Sequence, residues 1–579
     1  MDRIGVLKIV IFFVAAVIVA RFFYWQFLSD IAQANNISTS QDEIPAERGQ
    51  IFASDNFPIV ANQQAFLLFA KTREIENPQK AAKELAPFLI SEKYATGEAN
   101  LNDDEKKERD AEIEAKEKEV EKSLTNTSLS WVQLGRKISL DIKGKIEGKS
   151  IKGLGFERDE KRLYPEASMA AQLLGFVGSD KFGNDTGYFG LEGFYDRRLR
   201  GKPGRLGQES DPMGLPILVG NYRAIRPEKG SSLYLSIDRT IQFIVERNLR
   251  LATEKYGAKD GTVIIADPKS GQIIAMATYP TYEPALRAEF DEKLYKNPAV
   301  ADTYEPGSTF KLITMAAAID LSLVEPNTKC DVCSGPRQIS GYEISTWNKK
   351  YYPNSTMTEV IQHSDNVGMT FVAEKLGVEK FTSYIKRFGF GTQTGIGLQE
   401  ESPGNIRGQD EWRPIDLATA SFGQGIAVTP IQMVQAVSAI ANGGELIAPS
   451  LVTKIKDGDK EEVVNPKDKK KVISPKTAAL ITEMMVNAVE NGETKAFVPK
   501  GYRIAGKTGT AQIPVSGHYD PNKTIASFIG FAPANDPRFV MLVRFTEPSS
   551  SPFGSETAAP TFFKIAGEVF NYLGIASSQ

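Results

Sequence analysis

Three short motifs in the second half of the chain carry side chains that together could form one catalytic site. They are Ser308-Thr-Phe-Lys311, Ser364-Asp-Asn366 and Lys507-Thr-Gly-Thr510. A serine three residues before a lysine is common by chance in a chain of this length. The three motifs in this order, each in a suitable local setting, predict an acyl-serine site whose general base is a lysine.

The residues around Ser308 predict the start of a buried helix, because the run from Thr309 to Asp320 is apolar almost all round. Ser308 would lie in its first turn, where free backbone N–H groups and the helix dipole favour a developing oxyanion. Lys311 would follow on the same face, and burial would lower its pKa so that the neutral amine accepts the serine proton. For Lys311 by itself, an ordinary charged residue on a helix surface is the alternative.

The Ser364-Asp-Asn366 motif lies between two helical runs and predicts a proton relay. The hydroxyl of Ser364 could pass a proton, and the amide of Asn366 could bind a substrate group. A loop that only caps a helix is the alternative.

The third motif lies in a strand-like segment and predicts a site for a substrate carboxylate. Lys507, Thr508 and Thr510 offer a positive charge and two hydroxyl donors. Gly509 would let a substrate backbone approach the strand closely, as when a peptide adds to a sheet edge. A lysine that protects an exposed edge strand is the alternative.

Composition limits the possible classes of function. A chain of 579 residues is too long for one ordinary core, and its 41% hydrophobic and 24% charged residues are globular values. The net charge of −3 gives no electrostatic reason to expect a nucleic-acid partner. The only histidines are His363 and His518 and the only cysteines are Cys330 and Cys333, a poor basis for a His-dependent zinc site or a Ser-His-Asp triad. We expect no metal and no cofactor. The two cysteines could form a local disulfide or remain free thiols.

The N-terminal segment predicts a membrane anchor. Ile4 to Leu28 is nearly all apolar, interrupted by Lys8 and Arg21, and it ends in the aromatic run Phe22–Phe27. No small-residue cleavage site follows, so we expect one uncleaved span; a cleaved signal peptide is the alternative. Positive charge before the span and acidic residues after it predict that most of the chain lies outside the cytoplasmic membrane.

Beyond the anchor, the composition and the pattern of predicted strands and helices change once, which predicts two domains. Residues 30–225 alternate short strand-like runs with charged stretches, including a largely exposed helix over Asp104 to Ser123. Glycine, proline and charge cluster at 201–204 and 226–230, which indicates a boundary. Beyond it, strands near both ends with helices between predict an α/β domain whose sheet joins its first and last thirds. The predicted strands of this domain are 233–237, 261–267, 272–277, 524–531 and 538–545.

With these motifs the chain resembles the class B penicillin-binding proteins, membrane-anchored transpeptidases that cross-link peptidoglycan. Arg48-Gly-x-Ile51 is similar to the family's N-terminal Arg-Gly-x-Ile segment. Segments similar to the family's non-catalytic pedestal (dimerisation-type) domain are Arg162-x-Tyr-Pro165, Gly175–Gly178, Gly190-Leu-Glu192 and Tyr195-Asp196. Segments similar to its transpeptidase domain are Ser236-Ile-Asp238, Phe422-Gly-Gln-Gly425 and Ser527-Phe-Ile-Gly530. Two features match nothing in the family: the charged insertion at 93–125 and the cysteine pair. Phe57 stands where the family usually has glycine.

The resemblance implies an architecture. A short cytoplasmic tip and transmembrane anchor would cover residues 1–29, and an extended α+β pedestal domain would cover 30–225. An α/β (α+β) transpeptidase domain of the serine acyltransferase or β-lactamase-like type would cover 226–579. The implied location is the bacterial cytoplasmic membrane, single-pass, with the catalytic domain on the extracytoplasmic side. The implied partners are a membrane glycan polymerase and other wall-assembly proteins.

The resemblance also implies roles for the motif residues. Ser308 would attack the penultimate D-Ala carbonyl of a stem pentapeptide, with Lys311 as the base. Ser364 would relay the proton to the leaving amine, Asn366 would hold the donor's amide, and Lys507 would support the electrostatics of the site.

Further implied roles concern the ends of the substrate. Thr508 and Thr510 would bind its terminal carboxylate, and the backbone N–H groups of Ser308 and Thr510 would form the oxyanion hole. An amine of a neighbouring stem peptide would take the acyl group, and β-lactam antibiotics would acylate Ser308 as substrate mimics.

Rival functions share parts of this pattern. A serine β-lactamase or D,D-carboxypeptidase has the same motifs but must let water deacylate the enzyme, and the large pedestal and uncleaved anchor oppose that reading. A β-lactam sensor would need a signalling domain, and an idle wall-assembly scaffold would be expected to lose a motif residue. The sequence leaves open an elongation or division role, the acceptor amine, the oligomeric state and the function of residues 93–125.

Overall fold

The computed structural model describes residues 3–24, 39–90, 94, 102–209, 222–465, 469–515 and 518–577. Its strands are β1 (Thr39–Ile44), β2 (Ile51–Phe52), β3 (Pro58–Ala70), β4 (Val132–Ile138), β5 (Leu154–Leu163), β6 (Phe176–Ser179), β7 (Asp185–Tyr188), β8 (Gly204–Glu209), β9 (Tyr222–Ile225), β10 (Ser232–Leu235), β11 (Asp260–Ala266), β12 (Ile273–Tyr279), β13 (Arg337–Ile339), β14 (Tyr342–Ile344), β15 (Glu445–Leu446), β16 (Val452–Asp457), β17 (Lys460–Val463), β18 (Lys470–Lys471), β19 (Ala505–Val515), β20 (His518–Ala532) and β21 (Phe539–Thr546).

The α-helices of the described residues are α1 (Arg3–Phe23), α2 (Pro78–Leu85), α3 (Asp103–Thr125), α4 (Leu140–Glu147), α5 (Ala171–Leu174), α6 (Gly190–Phe194), α7 (Asp196–Leu199), α8 (Arg239–Tyr256), α9 (Pro298–Ala301), α10 (Lys311–Asp320), α11 (Met357–Gln362), α12 (Asn366–Arg387), α13 (Pro414–Ala420), α14 (Pro430–Ala441), α15 (Pro475–Glu490) and α16 (Ala558–Leu573). The helices that the sequence predicts between the strands of the second domain are present, among them α14 and α15.

The chain forms two compact units, each built from three separate segments of the sequence. One comprises Met1–Arg48, Ala65–Asp159 and Arg200–Gly230, and the other comprises Gly49–Gln64, Glu160–Leu199 and Ser231–Gln579. The second unit therefore takes in two stretches of the predicted pedestal domain. The predicted boundaries after residues 29 and 225 stay predictions.

The first unit combines helices with small antiparallel sheets. Strands β1, β8 and β9 form one sheet in that order, and the second half of β3 pairs with β4 in another. The predicted exposed helix is confirmed as α3, which buries only Val120 and Leu124. Asn102 caps it, because its side chain accepts from the backbone N–H of Glu105 while the Glu105 carboxylate accepts from the N–H of Asn102.

Helix α1 covers most of the predicted membrane anchor, and its apolar side chains from Ile11 to Phe23 are exposed. Residues 25–28 of that prediction lie outside the described residues. Across the described ranges, no helix combines the length and the apolar character needed to cross a membrane. The predicted single span is therefore not confirmed.

A five-stranded antiparallel sheet is the centre of the second unit, with strand order β12-β11-β21-β20-β19. It joins residues 260–279 to residues 505–546, so the predicted sheet between the first and last thirds of the domain is confirmed. Every residue of β21 is buried, since helices cover both faces of the sheet. The predicted strand near residue 233 is present as β10, but it pairs with β2 and β16 in a different sheet.

A buried ion pair in this unit joins two of the sequence segments singled out above. The Nη2 atom of Arg162 lies 2.7 Å from Oε1 of Glu192, whose side chain is fully buried. We expect Glu192→Ala to lower the free energy of unfolding by about 3–5 kcal/mol, because it leaves a buried guanidinium without its charge partner. The midpoint of thermal unfolding measures this effect.

The matched control for that substitution is Glu462→Ala, which removes the partner of Arg198 in an exposed ion pair of 2.8 Å. It should cost less than about 1 kcal/mol. Equal shifts in the two variants would contradict the expected role of burial.

Candidate active site

Ser308 lies in a single 3₁₀ turn, Gly307–Phe310, directly before α10. The predicted buried helix is confirmed, since α10 is buried from Lys311 to Ile319. Gly307 has a φ of +55°, in the left-handed region that favours glycine, and its N–H donates to the carbonyl of Gly423 at 3.0 Å. The segment Phe422–Gly425 therefore packs directly against the turn that carries Ser308.

Lys311 is fully buried and its Nζ contacts the second motif. It lies 2.6 Å from the carbonyl oxygen of Ser364, 2.8 Å from Oδ1 of Asn366 and 3.3 Å from Oγ of Ser364. Burial, and next the charge of Lys507, lower the pKa of Lys311 well below its ordinary value, with Asp365 opposing the shift. A neutral amine donates two hydrogen bonds, which the two short contacts use, so its lone pair remains to accept a proton.

Asp365 explains how the loop between α11 and α12 presents its neighbours. Its Oδ1 accepts from the N–H groups of Val367 at 2.7 Å and Gly368 at 3.1 Å, which caps α12. The loop therefore caps α12 and also positions two side chains of the site. Because Asp365 makes the cap, the side chains of Ser364 and Asn366 are left to contact Lys311.

Lys507 brings the third motif to the same serine. Its Nζ lies 3.0 Å from Oγ of Ser364 and 3.2 Å from both the carbonyl oxygen and the Oγ1 of Thr508. Burial lowers the pKa of Lys507 to about 8, with the charge of Glu493 opposing the shift. The hydroxyl of Ser364 therefore lies between two buried amines, one from α10 and one from β19.

β19 is the edge strand of the five-stranded sheet. Thr510 on this strand accepts a hydrogen bond of 3.1 Å from the N–H of Gly554 through its Oγ1. Near the same site, Nδ2 of Asn366 donates to the carbonyl of Ser345 at 3.1 Å. Trp347, two residues further on, makes an edge-to-face contact with Phe553 at 5.3 Å between ring centroids. These flanking contacts join residues that are far apart in the chain, so local sequence patterns did not predict them.

Close packing within the protein requires glycine at position 509. A Cβ atom there would lie 2.4 Å from Oγ of Ser527, 2.9 Å from Cγ2 of Thr309 and 3.1 Å from the carbonyl oxygen of Pro306. Glycine at this position thus lets β19 pack against the neighbouring strand and the Ser308 turn. The approach of a substrate backbone to Gly509 stays a prediction.

We expect Gly509→Ala to destabilise the protein by about 1–3 kcal/mol, because the added methyl group overlaps Ser527 and the strand or the turn must move. The midpoint temperature of thermal unfolding and the rate of labelling by a fluorescent penicillin should both decrease. Gly567→Ala is the matched control, since a Cβ atom there meets nothing within 4 Å in α16. That change should be neutral or slightly stabilising.

The cysteine pair and His363 have contacts of other kinds. Cys330 and Cys333 are joined in a disulfide, and His363 stacks on the ring of Tyr352. Within the part of the chain that the structure describes, no group of three or more His, Cys, Asp or Glu residues could hold a metal ion.

One further feature lies near the Ser308 turn and was not predicted from the sequence. Glu305 precedes Ser308 by three residues, and its carboxylate accepts from the N–H of Gly425 at 3.0 Å and from the hydroxyl of Tyr519 at 3.2 Å. It lines a cavity of about 740 Å³ that extends along β19 from Ala511 to Pro514. The position of the acid before Ser308 is visible in the sequence, but its contacts come from distant segments.

The fold combines one compact unit that is built on a five-stranded sheet and holds all three motifs with a second compact unit. A family model described as penicillin binding protein transpeptidase domain matches residues 261–567, more than half of the chain. A second, described as penicillin-binding protein dimerisation domain, matches residues 43–235. The chain belongs to the class B penicillin-binding proteins.

Individual relatives agree with this assignment. The chain is 36% identical over 537 residues to stage V sporulation protein D of Bacillus subtilis, covering 91% of this chain and 79% of the relative. It is 30% identical over 449 residues to peptidoglycan D,D-transpeptidase FtsI of Escherichia coli, covering 77% and 73%.

Solved structures share the fold. Penicillin binding protein 3 of Mycobacterium tuberculosis, in complex with ampicillin, superposes with a TM-score of 0.69 at 25% identity, over 93% of this chain and 97% of its own. A peptidoglycan synthetase of Bifidobacterium adolescentis gives a TM-score of 0.73 at 24% identity, over 94% and 98%.

Proposed function

We propose that this protein is a peptidoglycan D,D-transpeptidase that cross-links stem peptides through an acyl-serine intermediate and is inhibited by β-lactams. The observation that carries the proposal is the pair of buried amines, Lys311 and Lys507, on either side of the Ser364 hydroxyl. Two such amines at one hydroxyl can take a proton from a nucleophile and pass it through Ser364 to a leaving group.

In the acylation step, Oγ of Ser308 attacks the carbonyl carbon of the penultimate D-Ala. The neutral amine of Lys311 takes the hydroxyl proton as the C–O bond forms. The backbone N–H groups of Ser308 and Thr510 donate to the developing oxyanion. Support comes from the first turn before α10, where Ser308 lies, and from the lowered pKa of Lys311.

Collapse of the tetrahedral intermediate breaks the peptide C–N bond and needs a proton on the leaving nitrogen. Ser364 supplies it and is reprotonated from the lysines, since its Oγ lies 3.3 Å from Lys311 Nζ and 3.0 Å from Lys507 Nζ. Free D-Ala leaves, and the acyl group remains on Ser308.

The substrate's terminal carboxylate binds at the hydroxyls of Thr508 and Thr510 in the field of Lys507. The Oδ1 of Asn366 accepts one hydrogen bond from Lys311 and its Nδ2 donates one to Ser345. The second N–H and the second lone pair of this side chain hold the donor's amide. The amine of a second stem peptide then attacks the acyl-serine, loses a proton to the same base and releases Ser308.

The test uses the purified full chain, a stem-peptide thioester as donor and a D-amino acid as acceptor, with products identified by mass spectrometry. The proposed activity gives the transfer product as the main product. Predominant hydrolysis of the donor would instead identify a carboxypeptidase, and rapid turnover of a penicillin adduct would identify a β-lactamase. Absence of any acyl transfer or adduct would leave the scaffold reading.

Attachment to the membrane through residues 4–28, with the catalytic domain outside the cytoplasm, is part of the same proposal. Its support is the apolar sequence of this segment and the exposed apolar side chains of α1. The full chain should stay in the membrane fraction after alkaline extraction. A chain that begins at residue 30 should move to the soluble fraction, and release of both chains would contradict the anchor.

We also propose that residues 30–225 act as the pedestal and, with the anchor, contact a glycan polymerase and other wall-assembly proteins. The match of the dimerisation-domain model to residues 43–235 supports this assignment. Co-purification of such proteins with the full chain, and its loss when residues 1–29 are exchanged for an unrelated anchor, would test the anchor's share of the contact.

A further inference from the structure

The cavity of about 740 Å³ that Glu305 lines extends along β19 beyond Thr510, which is where the acyl donor of the proposed reaction would continue. With its carboxylate at Thr508 and Thr510 and its reacting carbonyl at Ser308, a donor peptide runs antiparallel to β19. Each residue of an extended peptide advances roughly 3.4 Å, so the residue before the two D-Ala units lies opposite the strand near Ala511 and Gln512. Both of these residues line the cavity.

Glu305 places a carboxylate on the wall of this cavity. Gly425 N–H and the Tyr519 hydroxyl hold it in place, both as neutral donors. Among the described residues, no lysine or arginine forms an ion pair with Glu305. Arg407, which also lines the cavity, lies 3.3 Å from Asp416 instead. The acid is therefore fixed, half-buried and without a cationic partner.

Burial of Glu305 raises its pKa, which means that its negative charge is incompletely compensated in the free protein. The two hydrogen bonds from Gly425 and Tyr519 oppose this shift. A cation that enters the cavity would compensate the charge, whereas a neutral or anionic group would not. The chemistry of the wall thus differs from that of the other end of the site, where Lys507 attracts a carboxylate.

We propose that Glu305 binds the side-chain ammonium of the diamino acid that precedes D-Ala-D-Ala in the acyl donor, and so selects donors that carry a free amine there. This inference rests on the proposed transpeptidase function and deepens it. Glu305 acts as a specificity-determining residue, because its carboxylate meets a part of the donor that does not react.

The test compares three thioester donors that end in D-Ala-D-thiolactate and differ only in the preceding residue: lysine, Nε-acetyl-lysine and glutamate. Thiol release by the full chain gives kcat/KM for each donor. The wild type should use the lysine donor about tenfold better than the acetylated one, and the glutamate donor least well. A wild-type ratio near one would overturn the proposal without any variant.

Glu305→Gln keeps an acceptor for the Gly425 N–H and removes the charge, so the ratio of lysine to acetyl-lysine donor should decrease to about one. Glu411→Gln is the matched control, since Glu411 lines the same cavity but is exposed, and it should keep the tenfold ratio. The midpoint of thermal unfolding reports the fold of both variants. A tenfold ratio that survives in Glu305→Gln would overturn the proposal.

Two further outcomes separate this inference from others. If Glu305→Gln changes only the capture of the acyl-enzyme by acceptor amines, the carboxylate serves the acceptor and the donor assignment is wrong. If the wild type releases no thiol from any donor and forms no penicillin adduct, the proposed transpeptidase function itself has failed. A penicillin adduct with equal use of all donors would overturn only the role of Glu305.

Discussion

Ser308→Ala should abolish labelling of the full-length chain by a fluorescent penicillin, with a loss of roughly three orders of magnitude or more in acylation rate. Removal of Oγ leaves the turn, the two lysines and the oxyanion donors in place but takes away the atom that forms the covalent bond. Without a nucleophile the remaining groups can bind the ligand but cannot form an adduct. Intact mass over several hours measures adduct formation and its stability together.

The control for this result is Ser383→Ala, which removes an exposed hydroxyl from α12. It should label like the wild type. The substitution at Ser308 is small and the residue is only half-buried, so the midpoint of thermal unfolding should change little. An adduct that persists in Ser308→Ala would assign the nucleophile to another residue and contradict the mechanism proposed above.

Local sequence patterns predicted the main elements of the catalytic unit because each pattern is set by burial. The apolar run after Ser308 is buried in α10, and the runs near residues 261–277 and 524–545 form strands of one sheet. Periodicity and composition report such burial directly. The order of the strands and the separate pairing of β10 with β2 and β16 depend on contacts between distant segments, which these patterns do not encode.

In the candidate site, too, some features follow from local sequence and others depend on contacts between distant segments. The three motifs were recognisable from residue type and spacing, and the structure brings their side chains together around Ser364. The packing role of Gly509 was not predictable, since the atoms that would meet its Cβ belong to Ser527, Thr309 and Pro306. A glycine in a strand indicates a close approach, but the sequence alone does not say whether a ligand or the protein itself approaches.

Substitution of Lys311, which follows Ser308 by three residues, should also slow acylation strongly because it prevents proton transfer. Lys311→Met removes the amine and Lys311→Arg introduces a charge that cannot be given up, so both should decrease the acylation rate by roughly 10²–10⁴-fold. The comparison is informative because arginine supplies a cation and hydrogen-bond donors but no lone pair that can accept a proton. Lys311→Arg with a rate near that of the wild type would show that charge, and not basicity, is what the site requires of this residue.

The pH profile of acylation separates the chemical role of Lys311 from a structural one. Burial and the charge of Lys507 hold the pKa of Lys311 well below 10.5, so the wild-type rate should be present above that lowered pKa and lost as the pH decreases through it. The alkaline limb should lie near the pKa of Lys507, about 8, because carboxylate binding weakens as this amine loses its proton. The two amines interact, so both limbs belong to the pair. The low residual rate of Lys311→Met should lack the acidic limb. The same limb in that variant would mean that another group is the base.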